Sequence, residues 1–162
     1  MPAASDAYSI VVGSLDMLPG WSQPVVEAAP APGATVVTHR VPGQYWERVR
    51  LLRVSLTTSA VAGNRGLILR ITDTAGTVYW EVPAAGVVAP SSTVTANGCD
   101  TDVLSVSASG LQVVPIPDIV LASGWTINAV ATGAVDVGDQ LSSMVMYVQQ
   151  IPSDAVHSGP IG

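Results

Sequence analysis

The stretch Arg65-Gly66-Leu67-Ile68-Leu69-Arg70-Ile71-Thr72-Asp73-Thr74-Ala75-Gly76-Thr77-Val78-Tyr79-Trp80-Glu81-Val82 decides the fold class. Leu67, Leu69 and Ile71 alternate with Ile68, Arg70 and Thr72, and Val78, Trp80 and Val82 repeat the period next door. A period of two puts successive side chains on opposite faces of a strand, whereas a helix needs apolar residues three and four apart. Between the two runs Asp73 can close an Asx-turn and Gly76 can take positive φ, which is the chemistry of a hairpin connection. A hairpin of this kind cannot bury its apolar face alone, so further strands are required.

The rest of the chain supplies them. Candidate strands fall at 47–58, 65–73, 77–83, 86–96, 102–107, 111–115, 125–132 and 143–151, about eight in all. Turn signals separate them at Ala62-Gly63-Asn64, at Ala96-Asn97-Gly98, at Ser109-Gly110 and at Thr132-Gly133. Short strands at this spacing predict an antiparallel β-sandwich or barrel. Stiff Val, Ile and Thr side chains suit a pleated surface, and 15 Gly and 12 Pro leave little room for a helix. The 47–58 run changes phase at Leu51-Leu52, the mark of a β-bulge. In Val114-Pro115-Ile116-Pro117-Asp118-Ile119-Val120-Leu121 two prolines remove ladder donors, which predicts an edge strand or an extended crossover.

Residues 1–45 read differently. Glu27-Ala28-Ala29-Pro30-Ala31-Pro32-Gly33-Ala34 lacks periodicity and has a linker's composition, so 1–45 is expected to form an extended N-terminal arm. The sandwich then spans 46–152 and a C-terminal tail 153–162. With 48% hydrophobic and 11% charged residues, disorder of the whole chain is excluded. No run of residues approaches a membrane span, and the N-terminus lacks the basic start of a signal peptide.

Charge narrows the partners. The net charge is -6, there is no lysine, and the six cations are arginines between Arg40 and Arg70. Nucleic-acid binding requires clustered cations that release counterions, so it is not expected. Arginine suits partly buried bidentate or stacked contacts, which makes Arg48, Arg50, Arg53 and Arg70, with Tyr45 and Trp46, the candidate subunit contacts. Arg65 is expected to pair with a carboxylate across the sheet in a structural role. Cys99 is the single cysteine, which excludes an intrachain disulfide and points to synthesis in a reducing cytoplasm.

No constellation of residues predicts catalysis, a cofactor or a metal. His39 and His157 stand alone in sequence and are expected to be exposed, whereas a triad or metal site needs several groups. Cys99 follows Asn97-Gly98 and is expected in a turn, where Asp100 and Asp102 would raise its pKa. Asp100-Thr101-Asp102 and Asp136-Val137-Gly138-Asp139 offer oxygen ligands without an EF-hand spacing, so solvated loop carboxylates are favoured over calcium. For Trp21, Tyr45, Trp46, Trp80 and Trp125, core or interface packing is favoured over a sugar-binding platform.

Several segments resemble a group of tailed-bacteriophage virion accessory proteins. These are Trp46-Glu47-Arg48-Val49-Arg50, Val54-Ser55-Leu56-Thr57-Thr58-Ser59, Ala62-Gly63-Asn64-Arg65, Leu69-Arg70-Ile71-Thr72-Asp73, Ile116-Pro117-Asp118-Ile119-Val120-Leu121, Gly124-Trp125-Thr126-Ile127 and Gly138-Asp139-Gln140. The resemblance runs from about Tyr45 to Pro152, two thirds of the chain, and leaves the arm outside it. It implies a jelly-roll-like sandwich in a capsid decoration (cement) protein, made in the host cytoplasm and placed on the capsid exterior. The implied partners are the major capsid protein and further copies of the chain, as a homotrimer. A head-fibre, neck or tail-fibre module that binds host-surface carbohydrate is the rival implied by the arm. Neither carries catalytic residues.

Overall fold

The computed structural model describes residues 22–99, 105–106 and 111–152. Among them the chain forms twelve strands and no helix. In chain order these are β1 (Ser22–Glu27), β2 (Val36–Arg40), β3 (Tyr45–Thr57), β4 (Arg65–Thr72), β5 (Val78–Val88) and β6 (Thr93–Cys99), then β7 (Ser105–Val106), β8 (Leu111–Pro115), β9 (Val120–Leu121), β10 (Thr126–Gly133), β11 (Gln140–Leu141) and β12 (Met144–Pro152).

Two sheets result. Sheet A runs β1-β12-β3-β6-β8-β7, with β9 and β11 also on β3, and sheet B runs β2-β10-β4-β5. All pairs are antiparallel except β6 with β8. The expected all-β, mostly antiparallel sandwich is therefore present. Its core is the two facing apolar sides, with Leu52, Val54 and Leu56 of β3 and Met144, Met146 and Val148 of β12 against Leu67, Leu69 and Ile71 of β4 and Ile127 and Ala129 of β10.

The hairpin that decided the fold class forms as expected. Asp73 Oδ1 accepts the amides of Ala75 and Thr77, both at 2.8 Å, and Gly76 sits at φ 85°. These amides hold the Asp73 carboxyl below the usual range, that of Thr77 most strongly. The bulge also forms: β12 pairs Tyr147 with Leu51 but Val148 with Val49, leaving Arg50 as the extra residue. That insertion lets Val49 and Leu52 both face the core while Leu51 turns outward.

Residues 22–45 depart from the extended-arm expectation. β1 pairs with β12, and β2 pairs with β10, so both strands belong to the sheets. The Pro/Ala run is the crossover between them, fixed by hydrogen bonds from Gly33 N to Asp139 O at 2.8 Å and from Gln140 Nε2 to Pro30 O at 2.9 Å. A linker's composition serves here because a crossover needs no ladder donors. Residues 1–21 and 153–162, and with them Trp21 and His157, lie outside the described residues.

Two further boundaries move. The expected strands at 77–83 and 86–96 become β5, which runs through Pro83, and β6. Pro83 is tolerated because β5 is the edge of sheet B and its pairing slips between Leu67 and Ile68. The turn expected at Ala96-Asn97-Gly98 lies inside β6, so Cys99 ends a strand and is not a turn residue. Gly98 is there for packing: a Cβ on it would stand 2.3 Å from Ile116 Cδ1. The proline segment is β8, a loop and β9, which carries the chain from beside β6 across to β3.

Candidate functional site

Four connections pass between the sheets at one end of the sandwich: 28–35, 58–64, 89–92 and 134–139. Arg65, the first residue of β4, is wholly buried beneath them. Its Nε donates to Asp139 Oδ2 at 3.0 Å and its Nη2 to Asp136 Oδ2 at 2.6 Å. Its Nη1 donates to the carbonyls of Val61 at 2.7 Å and Gly63 at 2.6 Å. One guanidinium thus ties the 58–64 loop to the 134–139 loop, a task suited to its planar fork of donors.

The surrounding atoms complete the brace. Ser59 Oγ donates to Asp136 Oδ2 at 2.6 Å, and Ser59 N donates to Asp139 Oδ1 at 2.8 Å. Thr58 Oγ1 donates to Ala89 O at 2.6 Å and accepts from Ser92 N at 3.0 Å, which adds the 89–92 loop. The Ser59 hydroxyl, the Gly138 amide and Arg65 hold the Asp136 carboxyl below the usual range. Burial pushes Asp139 up, but the amides of Ser59 and Asp136 and the Arg65 guanidinium outweigh it and leave it lowered. Of the four carboxylates weighed for calcium, Asp136 and Asp139 are therefore committed to Arg65, and Asp139 is buried where a solvated side chain was expected, while Asp100 and Asp102 lie outside the described residues. The Arg65 partner lies in a loop that returns from β10, not on a neighbouring strand.

This end presents two large apolar side chains to solvent. Val61 is 59% exposed and Val137 is 85% exposed, each at the tip of a loop tied to Arg65. The sequence signal for the brace was Asp136-Val137-Gly138-Asp139, whose partner 71 to 74 residues away no local pattern could name.

A second buried polar cluster joins the sheets near β1. His39 is 3% exposed, which corrects the expectation of an exposed side chain. Its Nδ1 lies 2.8 Å from Glu27 Oε1 and its Nε2 2.6 Å from the wholly buried Glu47 Oε2. Gln150 Nε2 donates to Glu47 Oε1 at 2.6 Å, and Gln23 Nε2 to Gln150 Oε1 at 2.6 Å. Burial alone would lower the His39 pKa, but the hydrogen bonds and charges of Glu47 and Glu27 outweigh it, so it is raised. Both ring nitrogens are engaged, which makes this cluster a clamp between β1, β2 and β3 with no imidazole atom left to act on a substrate. Alternation placed Glu47 beside Val49 on the inward face, which was the available sign of a buried carboxylate.

The six expected contact residues do not form one patch. Tyr45, Trp46, Arg48, Arg50 and Arg53 lie along β3 in sheet A, while Arg70 lies on β4 in sheet B. Arg48 pairs with Asp118, pinning the proline crossover, and Arg70 Nε donates to Glu81 Oε2 at 2.6 Å. Arg53 is exposed on the outer face of sheet A. Of the aromatic residues, Trp80 and Trp125 pack partly against the core. Tyr79 and Trp125 do meet, with ring centroids 4.6 Å apart.

Fold and site together define an all-β sandwich whose two buried polar clusters are spent on joining its own sheets and loops. Among the described residues no group of three or more His, Cys, Asp or Glu is placed to hold a metal, and no helix is long and apolar enough to cross a membrane. No protein-family model matches the chain, and no curated protein matches its sequence. Among solved structures, infectious bursal disease virus Gx strain overlaps 82% of this chain and 33% of its own, at 8% identity and a TM-score of 0.39. Tobacco streak virus coat protein overlaps 85% of this chain and 92% of its own, at 9% identity and 0.31. Dimeric latent PorU from Porphyromonas gingivalis overlaps 82% and 13%, at 8% and 0.37. This chain spans about a third of the length of the bursal disease virus protein. Overlaps this shallow carry no argument, and the functional reading rests on the chain's own residues.

Proposed function

We infer that the protein is a structural component of a bacteriophage virion, a capsid decoration protein that binds the outer capsid surface and stabilises the head. The observation that carries this is the braced loop end. Loops that must move on binding lose part of their contact free energy to ordering, whereas loops held by a buried guanidinium are ordered beforehand. Val61 and Val137 stand on that rigid base as exposed apolar anchors. Burying such a side chain contributes roughly 1–3 kcal/mol. A homotrimer seated over capsid junctions would multiply the contact by offering three such ends at once. The sequence resemblance to virion accessory proteins points the same way, with Tyr45, Trp46, Arg48, Arg50 and Arg53 along one strand, and Arg70 on the other sheet, assigned to subunit contacts.

The test is attachment to particles. Full-length protein carrying Val61→Asp and Val137→Asp should keep its circular-dichroism spectrum and melting midpoint but fail to co-sediment with capsids assembled from the major capsid protein. Undiminished co-sedimentation refutes the assignment of the loop end. Absence of the chain from purified particles refutes the virion role itself. The rival reading, a fibre or neck module that binds host carbohydrate, is favoured by the Tyr79–Trp125 pair, since Tyr79 is 59% exposed beside the tilted Trp125 ring. A glycan array without hits removes it.

A further inference from the structure

The outer faces of the two sheets differ in how far their polar residues bond one another. On sheet B outward side chains pair: Thr38 Oγ1 to Asn128 Oδ1 at 2.7 Å, Thr72 to Thr126 at 2.5 Å, and Arg70 to Glu81 at 2.6 Å. Beside these pairs that face also carries one apolar row, Val36, Val130, Ile68 and Pro83. On sheet A, register aligns Pro24, Tyr147 and Leu51 in one row across three strands, and Val26, Val145 and Arg53 in the next. Val26 is 63% exposed, Leu51 55%, and Val145 and Tyr147 42% each. These rows border a groove of about 510 Å³. A contiguous exposed apolar patch rimmed by polar residues marks a surface that something covers.

The size of the patch decides between occupants. The rows continue from Leu51 and Arg53 to Cys99 and Asn97 of β6 and on to Pro115 and Val113 of β8; five strands about 4.8 Å apart and two side-chain rows about 7 Å apart give roughly 24 Å by 10–14 Å, on the order of 300 Å². A stable pairing of globular partners buries about 800 Å² on each side. A second copy pressed flat on this face would be held too weakly. One extended segment of about seven residues, at roughly 3.3 Å per residue, matches its length.

The chain contains such a segment ahead of β1, the strand that carries Pro24 and Val26. It is the seven residues Asp6-Ala7-Tyr8-Ser9-Ile10-Val11-Val12. The nine residues 13–21 that separate Val12 from Ser22 extend up to about 30 Å, enough to reach every part of the face. Charge agrees as well: Arg53 is the cation in the apolar rows, and Asp6 opens the apolar run. A tethered segment acts at a millimolar effective concentration, which favours a chain's own segment over another copy's.

We propose that residues 6–12 lie on the outer face of sheet A of their own chain, with their apolar side chains over Leu51 and Tyr147 and the Asp6 carboxylate at Arg53. The assignment goes beyond the virion role and does not depend on it. Cys99, the single cysteine, borders the groove and serves as the reporter. In the full-length protein its labelling by a thiol reagent should be roughly tenfold slower than in full-length protein carrying Ile10→Asp and Val12→Asp. Leu51→Asp should raise the rate similarly from the other side of the contact. Protection should not change with protein concentration. Equal rates in the unaltered protein and the folded variants overturn the proposal. Protection that fades on dilution overturns it too, because it places another copy's segment on the face. Hydrogen exchange on the unaltered chain gives an independent reading: protected amides within 6–12 support the docking, and free exchange throughout 6–12 refutes it.

Discussion

Replacing Arg65 by Met keeps most of the side-chain volume and removes the guanidinium from the centre of the loop brace. Two carboxylates then lose their cation, and the Asp139 side chain, 1% exposed, cannot turn to water. The carbonyls of Val61 and Gly63 lose donors at 2.7 and 2.6 Å. Removing one partner of a buried ion pair costs about 3–5 kcal/mol, because the other charge stays buried without compensation. Asp139 still accepts from the amides of Ser59 and Asp136, so the lower half of that range is expected. Such a loss is a large share of the roughly 5–15 kcal/mol that holds a domain folded, and it lowers the melting midpoint by about 6–20 °C. Urea and thermal unfolding followed by circular dichroism measure it. Hydrogen exchange should rise in 58–64 and 134–139 before the sheet core responds. Adding Asp139→Asn neutralises the stranded charge and should restore part of the loss. If Arg65→Met lies within about 1 kcal/mol of the parent and leaves loop exchange unchanged, Arg65 does not brace the loops.

His39 carries a pH signature of defined sign. Its folded pKa is raised from the model-compound value of 6.5, so its clamp on Glu27 and Glu47 contributes fully below that value and fades as pH rises through the raised one. The stability gap between the parent and His39→Gln, read from urea midpoints, should therefore narrow from about pH 6 to about pH 8. A gap that stays flat or widens would mean that imidazolium charge plays no part. Asp136 and Asp139 act oppositely: their carboxyls are lowered from 3.8, so their contribution holds above that value and disappears as pH falls through the lowered ones. Deleting residues 1–40 should abolish the β circular-dichroism signal, since it removes β1, β2 and His39, while deleting 1–21 should preserve it; a folded 1–40 deletion would show that both strands are dispensable.

Strand content was legible because it is written locally. The 67–71 alternation, the Asp73 turn and the phase change at 51–52 each depend on residues a few positions apart, and each reappears in the structure, whereas Val78, expected on the face of Trp80 and Val82, is turned out opposite Thr72 by a register shift. The strands that sequence reading missed were β1 and β2, masked by the Pro/Ala crossover between them, and the two-residue β9 and β11, too short to show a period. β6 was cut at Asn97-Gly98 because that pair signals a turn. Its glycine is instead the gap into which Ile116 packs, from a segment eighteen positions further on.

The sequence by itself determined that this is an all-β protein, since a two-residue hydrophobic period, stiff β-branched side chains and frequent Gly and Pro admit little else. Only the tertiary structure decided what its polar residues do. Arg65 meets Asp136 and Asp139 across more than 70 positions, and His39 meets Glu47 across the gap between two sheets, so neither partnership leaves a local trace. The same is true of the apolar outer face of sheet A. Its rows are assembled from β1, β3 and β12, and register between strands so distant in the chain is fixed only once the sandwich closes.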